Sequence, residues 1–109
     1  MRVLFRVWLD NNGKAFGEGP YRLLKGVEKL GSLHQAAMEM KMSYRKAWLT
    51  VNACEERLGF ALIDRQTGGA SGGGSHLTVK GKNFVKRYEE FRSETNKTIE
   101  RIYRKHFAR

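Results

Sequence analysis

Residues 31–48 read Gly31-Ser32-Leu33-His34-Gln35-Ala36-Ala37-Met38-Glu39-Met40-Lys41-Met42-Ser43-Tyr44-Arg45-Lys46-Ala47-Trp48. Two short helical patterns meet there across a tight break. Ser32 and Gln35 have the spacing of a capping box, in which the serine oxygen accepts the N–H three residues on while the glutamine reaches back. Leu33, Ala36, Ala37 and Met40 fall on one side of the first helix, and the paired alanines let a second helix approach closely. Lys41-Met42-Ser43 interrupts the pattern and supplies a serine cap for the next helix. Ala47, Trp48, Val51, Cys54 and Leu58 then form an apolar stripe that Gly59 ends. This order predicts a helix-turn-helix.

The opposite face of the second helix carries Arg45, Leu49, Asn52 and Glu56, with Ser43, Tyr44 and Lys46 crowded at its N-terminal end. Exposed helix N-termini attract phosphate, and arginine is the commonest reader of guanine edges. Taken alone, Arg45 and Lys46 fit solvated surface better than a binding role; the stretch that follows reverses the reading toward nucleic acid. Ala61-Leu62-Ile63-Asp64-Arg65 has strand character with an undecided buried face, since Leu62 and Ile63 are both apolar. Thr67-Gly68-Gly69-Ala70-Ser71-Gly72-Gly73-Gly74 comes next, and His76-Leu77 supplies a returning strand. With so little side-chain bulk, the loop can lie against a sugar-phosphate backbone or enter a minor groove. A nucleotide-phosphate loop would need a lysine and a Ser/Thr after its last glycine, and these are absent. A plain linker is the other alternative, but a position between two short strands predicts a hairpin wing.

Upstream, Val3, Phe5, Val7 and Leu9 alternate with Leu4, Arg6, Trp8 and Asp10, which is strand periodicity. Asp10-Asn11-Asn12-Gly13-Lys14 is turn chemistry, so Ala15-Phe16 is expected to pair back as a hairpin packed under the helices. Gly19-Pro20 predicts a helix start with proline at the first position, carrying Tyr21, Leu24, Val27 and Leu30 to a stop at Gly31. Downstream, Thr78 can cap a last helix, with Gly81 leaving room for close packing in its first turn. From Val79 to about His106 there is no proline, and Phe84, Tyr88, Phe91, Thr95, Thr98, Ile102 and Tyr103 follow a 3-4 spacing, with Ile99 beside them. Such a helix is about 40 Å long, too long to pack wholly on so small a domain. Its seam calls for a partner, and a second copy is the simplest.

The chain has 109 residues, enough for one domain with a protruding element, and 21 Lys+Arg against 11 Asp+Glu give a net charge of +10. That balance makes DNA or RNA the default partner ahead of an anionic membrane. One cysteine, Cys54, excludes an intramolecular disulfide and suits a reducing compartment. No stretch approaches the roughly 20 apolar residues that cross a bilayer, so a soluble, cytoplasmic protein is expected. His34, His76 and His106 lack ligand spacing with Cys54, no nucleophile motif is present, and Glu55-Glu56 and Glu89-Glu90 read as solvated surface. Neither an enzyme, a metal nor a cofactor is expected.

The set Gly31-Ser32, Ala36-Ala37, Ser43-Tyr44, Ala47-Trp48, Arg65, Thr67-Gly68-Gly69, Gly72-Gly73-Gly74, Leu77-Thr78 and Gly81 resembles the N-terminal DNA-binding domain of the ModE family of molybdate-responsive transcriptional regulators. That domain is itself similar to the one in LysR regulators. The resemblance covers nearly the whole chain and implies a dimer, joined through helices beyond the wing, that binds operator DNA. It also implies that Ser43, Tyr44 and Arg45 begin the recognition helix and that Arg65 to Ser75 form the wing. Two departures carry expectations of their own. The chain stops at Arg109 without the molybdate-binding domains of sensory members, which implies a stand-alone unit with no small-molecule effector domain. Family members often have glycine in the corner where this chain has Lys41, which predicts a tighter or distorted turn.

The expected fold is mainly α with small β: a winged helix-turn-helix over residues 1–79, with an N-terminal β-hairpin and a β-wing, and a C-terminal dimerisation helix over 80–109. The expected function is sequence-specific transcriptional regulation by a homodimer on a near-palindromic operator in double-stranded DNA. Ser43, Tyr44, Arg45, Lys46 and Leu49 would face the bases and nearby phosphates. Arg65, Thr67, Gly68, Gly69, Ser71, Gly72, Gly73 and Gly74 of the wing, with Lys80 and Lys82, would hold the backbone. The dimer seam would run along Phe84, Tyr88, Phe91, Thr95, Ile99 and Ile102. The alternative is an interaction module that pairs through its last helix with a separate sensory protein and binds DNA only weakly.

Overall fold

A computed structural model of the chain describes residues 1–64 and 74–107. Two strands, β1 (Leu9–Asp10) and β2 (Lys14–Phe16), form an antiparallel hairpin with Leu9 opposite Phe16. Three helices follow, α1 (Glu18–Leu30), α2 (Leu33–Glu39) and α3 (Tyr44–Leu58). A second hairpin pairs β3 (Ile63–Asp64) with β4 (His76–Leu77), Ile63 opposite Leu77, and α4 (Val79–Phe107) completes the chain. Three helices, a two-stranded sheet and a last helix are the expected winged order. The wing segment itself, from Arg65 to Gly73, lies outside the described residues.

Local chemistry sets the helix ends. Gly31 and Gly59 close α1 and α3 in the left-handed conformation, at φ 71° and 86°. Ser32 and Ser43 cap α2 and α3, each hydroxyl accepting a backbone N–H three residues on, from Gln35 at 3.2 Å and Lys46 at 3.1 Å. Helix α1 starts at Glu18 rather than Pro20, so the proline sits in its third position, where the first turn still has no N–H bond to lose.

The corner between α2 and α3 is not distorted. The Lys41 N–H donates to the Met38 carbonyl at 3.0 Å and the Met42 N–H to Ala37 at 3.0 Å, the paired bonds of a Schellman closure. Lys41 adopts φ 56°, the left-handed conformation that glycine would take there without strain. The turn keeps its shape, and the lysine backbone carries the cost.

One core unites these elements. Phe16, Leu23, Leu24, Val27, Val51 and Leu62 are almost fully buried, joined by Ala36, Ala37 and Ala47 where α2 meets its neighbours. Phe16 meets Phe84 edge-on at 4.9 Å between ring centres and Tyr88 at 5.0 Å. Tyr88 is 2% exposed, and Phe84 packs against the same core. These two members of the expected seam therefore face their own chain. On the flank, the Tyr21 hydroxyl donates to Glu89, which also meets Lys25 at 3.2 Å, while Arg92 pairs with Glu18 and lies over the Tyr21 ring. The Tyr21 hydroxyl and Lys25 hold the Glu89 carboxyl below the usual carboxylate range.

The N-terminal segment differs from expectation. Ladder pairing begins only at Leu9, because the turn at residues 10–13 is followed by just three strand residues before the chain enters α1. The preceding residues instead follow α4 in the opposite direction. The Tyr88 hydroxyl donates to the Val7 carbonyl at 3.3 Å and the Tyr103 hydroxyl to the Met1 carbonyl at 2.7 Å. Six extended residues span about 20 Å and fifteen helical residues about 22 Å, so the two contacts fit one antiparallel alignment. Phe5 borders a groove of about 300 Å³ with Phe91, Thr95 and Ile99. Part of the seam is thus covered by the chain's own N-terminus.

Candidate nucleic-acid interface

The first two turns of α3 and its cap gather five of the residues singled out by sequence. Ser43, Tyr44, Arg45, Lys46 and Leu49 are all exposed, while Ala47, Val51 and Cys54 on the inner face are buried. The division follows from helical periodicity, since the apolar stripe is used against α1, α2 and the first hairpin. Ser43 serves as the cap, so its oxygen is already committed to the Lys46 N–H. Its place in the fold is structural.

Tyr44 is held from two sides. The Trp48 indole N–H, one turn on, donates to the Tyr44 hydroxyl, and the His34 ring of α2 lies 5.5 Å from the Tyr44 ring. As an acceptor from Trp48, the phenol keeps its own O–H to donate outward, which suits a phosphate or base oxygen. Trp48 and His34 thus position the tyrosine. The four-residue spacing of Tyr44 and Trp48 is the sequence signal that could have identified the pair.

The acidic groups Glu18, Glu28, Glu89 and Glu100 are paired with Arg92, Lys25 and Arg104 on α1 and α4. Among the described residues neither Arg45 nor Lys46 forms an ion pair. Cations with no carboxylate beside them, set at a helix N-terminus, make a site for a polyanion.

The base of the second hairpin is fastened to the same helix. Glu55 of α3 accepts the Leu62 N–H at 2.7 Å and the Ile63 N–H at 3.2 Å. It is therefore a structural anchor and not solvated surface. On the returning side the Ser75 N–H donates to the Gly31 carbonyl at 2.9 Å, and the Ser75 hydroxyl accepts from the Leu33 N–H at 3.3 Å. Thr78 closes the far end, its hydroxyl donating to Ala61 at 2.6 Å and accepting the Gly81 N–H at 2.8 Å. Gly74 is exposed at the start of the return; Arg65, Thr67, Gly68, Gly69, Ser71, Gly72 and Gly73 are outside the described residues. Lys80 and Lys82 are exposed in the first turn of α4.

Phe91 and Ile102 are 40% and 49% exposed, and Thr95 and Ile99 are half-buried beside the N-terminal segment. Among the described residues no group of three His, Cys, Asp or Glu side chains is placed to hold a metal, and no helix is long and apolar enough to cross a membrane.

Residues 21–82 match the family described as bacterial regulatory helix-turn-helix proteins of the lysR type. The chain is 32% identical over 102 residues to the molybdenum transport protein ModE of Azotobacter vinelandii, covering 93% of this chain and 38% of that protein. It is 38% identical over 68 residues to the transcriptional regulator ModE of Haemophilus influenzae, covering 62% and 27%. Against the DNA-binding transcriptional dual regulator ModE of Escherichia coli K12 it is 36% identical over 67 residues, covering 62% and 26%. The chain thus spans about a quarter to two fifths of the length of these relatives. In fold it is similar to the DNA-binding domain of CbnR solved in complex with DNA, with a TM-score of 0.62 at 20% identity, covering 76% of this chain and 90% of that one.

Proposed function

The chain belongs to the lysR family of bacterial regulatory helix-turn-helix proteins, and from that premise we propose that it is a sequence-specific transcriptional regulator. It binds double-stranded DNA in the cytoplasm as a homodimer and performs no catalytic step. The observation that carries this reading is the exposed N-terminal end of α3, where Tyr44, Arg45 and Lys46 stand clear of every acidic partner among the described residues. A net charge of +10 supplies the long-range attraction. Relatives named as DNA-binding or transcriptional regulators support the same assignment.

In this reading Arg45, Tyr44 and Leu49 enter the major groove, Ser43 presents the helix end, and Lys46 with the wing residues holds phosphates. Lys80 and Lys82 add attraction that does not depend on sequence. Residues 80–109 serve as the dimerisation arm, with Phe91 and Ile102 left exposed for it, because Phe84 and Tyr88 are used inside the chain and Thr95 and Ile99 lie beside the N-terminal segment. Two-fold pairing would set the two recognition helices about 34 Å apart, on a near-palindromic site.

Selection of bound duplexes from a random pool tests the proposal. Enrichment of two inverted half-sites about one helical turn apart is the expected result. Retention of unenriched DNA alone would remove sequence-specific regulation from consideration. A second reading, pairing of α4 with a separate sensory protein, is favoured by the exposed Phe91, Ile102 and Phe107. Light scattering separates the two: a stable dimer supports the first, and a monomer the second.

A further inference from the structure

We propose that Leu49 reads the C5-methyl group of a thymine one or two base steps from the guanine addressed by Arg45. The inference rests on the DNA-binding reading above and adds the chemical group that this part of the surface selects. Leu49 is 56% exposed in the middle of α3 and lies outside the buried core. A single exposed leucine is ordinary on a protein surface; the setting of this one is not. One helical turn before it, on the same face, stand Arg45 and Lys46, both exposed and free of ion pairs among the described residues. One turn after it stands the exposed Ala53, too small to keep a partner surface away.

The surroundings choose the occupant. Two unpaired cations beside the leucine favour a polyanion over an apolar protein groove, which would have to desolvate them. Among base edges in the major groove of DNA, the thymine methyl is the apolar feature that a leucine can cover. RNA offers no such group, because uracil lacks the methyl and the deep, narrow major groove of its helix excludes a side chain. Spacing agrees: four residues of helix advance about 6 Å, and successive bases lie about 3.4 Å apart. An Arg45 reaching one base therefore sets Leu49 over a base one or two steps along.

The experiment replaces each thymine of a selected duplex by deoxyuridine, which removes the methyl and preserves every Watson–Crick hydrogen bond. The wild-type chain is expected to bind about three- to five-fold more weakly at one such position in each half-site, the value of one buried carbon. Leu49→Ala should show the same loss on the thymine duplex and no further loss on the deoxyuridine duplex. Leu49→Met should retain sensitivity to the methyl. Because the side chain is exposed, both variants should melt with the wild type. If specific binding persists but no thymine position responds, or if Leu49→Ala still feels the methyl, the inference is wrong while the DNA-binding reading stands. Failure to bind any sequence would overturn both.

Discussion

The Glu55 carboxylate of α3 accepts the Leu62 backbone N–H at 2.7 Å, so the strand that begins the second hairpin is fastened to that helix directly. The Ile63 N–H shares the same oxygen at 3.2 Å. Removing the acceptor leaves two partly buried donors without a partner, and hydrogen bonds to a charged group contribute about 1.5–3 kcal/mol. Glu55→Ala should lower unfolding free energy by about that amount in urea denaturation, and Glu55→Gln, which keeps one acceptor oxygen, by less. Equal stability of Glu55→Ala and wild type would show that the contact is incidental.

Gly81 lies where α4 comes close to the backbone that leads into β3. A β-carbon there would lie 3.1 Å from the Leu62 carbonyl carbon and closer still to its oxygen, and a backbone carbonyl cannot swing away as a side chain can. Gly81→Ala is therefore expected to destabilise by about 1–3 kcal/mol despite the better helix propensity of alanine. A thermal melt that rose on this substitution would contradict the close approach.

Lys41 lies in the left-handed conformation at φ 56°, which costs a non-glycine residue about 1–2 kcal/mol. Glycine relieves that strain but raises the entropy of the unfolded chain by about 0.4–1 kcal/mol. Lys41→Gly should thus match wild-type stability or exceed it by up to about 1.6 kcal/mol. Lys41→Ala, which removes the same charge and keeps the strain, should gain nothing. The difference between the two variants in chemical denaturation isolates the backbone contribution.

These particulars show which features a sequence exposes. Ser32, Ser43, Gly31 and Gly59 act on their own neighbours, so the helix-turn-helix was legible from local chemistry. Leu62 and Ile63 gave no clear face because both are buried, flanked by Glu55 on one side and Gly81 on the other. Glu55 and Glu56 looked alike as adjacent acids, yet only the former turns toward β3. The alternation from Val3 to Leu9 announced an extended segment but could not supply its partner, which is the flank of α4. Tyr88 kept the spacing of a seam while facing Phe16, since a 3-4 repeat is the same whether the surface it meets belongs to the chain or to a second copy. The residues that act through others, Trp48 and His34 on Tyr44, became visible only when α2 and α3 were placed together.

Burial in the α3 stripe pushes the Cys54 thiol up to about 11, with the nearby Glu55 carboxylate adding to the effect. A thiol raised in the folded state contributes stability that is complete below the unfolded value of about 8.5, and is lost as pH rises through about 11. Stability should therefore fall with rising alkalinity in that window, less steeply in Cys54→Ala once its lower baseline is allowed for. At pH 8 a thiol reagent should modify the native chain far more slowly than the urea-unfolded chain, because it needs thiolate and access. Comparable rates in the two states would mean that Cys54 is reachable from solvent.

Arg45 and Lys82 are both exposed cations, and their different positions predict different failures. Arg45 is in the first turn of α3, where a guanidinium can form a bidentate contact with one guanine. Lys82 is in the first turn of α4, next to the returning hairpin strand, and is suited to a phosphate. Arg45→Ala should weaken binding by about 1–3 kcal/mol and flatten the preference at one base position. Lys82→Ala should weaken all sequences alike and reduce the slope of log affinity against log salt by about 0.9. Gel-shift titrations on single-base operator variants at several salt concentrations read both effects in one series. An Arg45→Ala chain that kept the wild-type ranking of operators would remove arginine from base recognition, and a sequence-selective loss in Lys82→Ala would move that lysine from the backbone to a base.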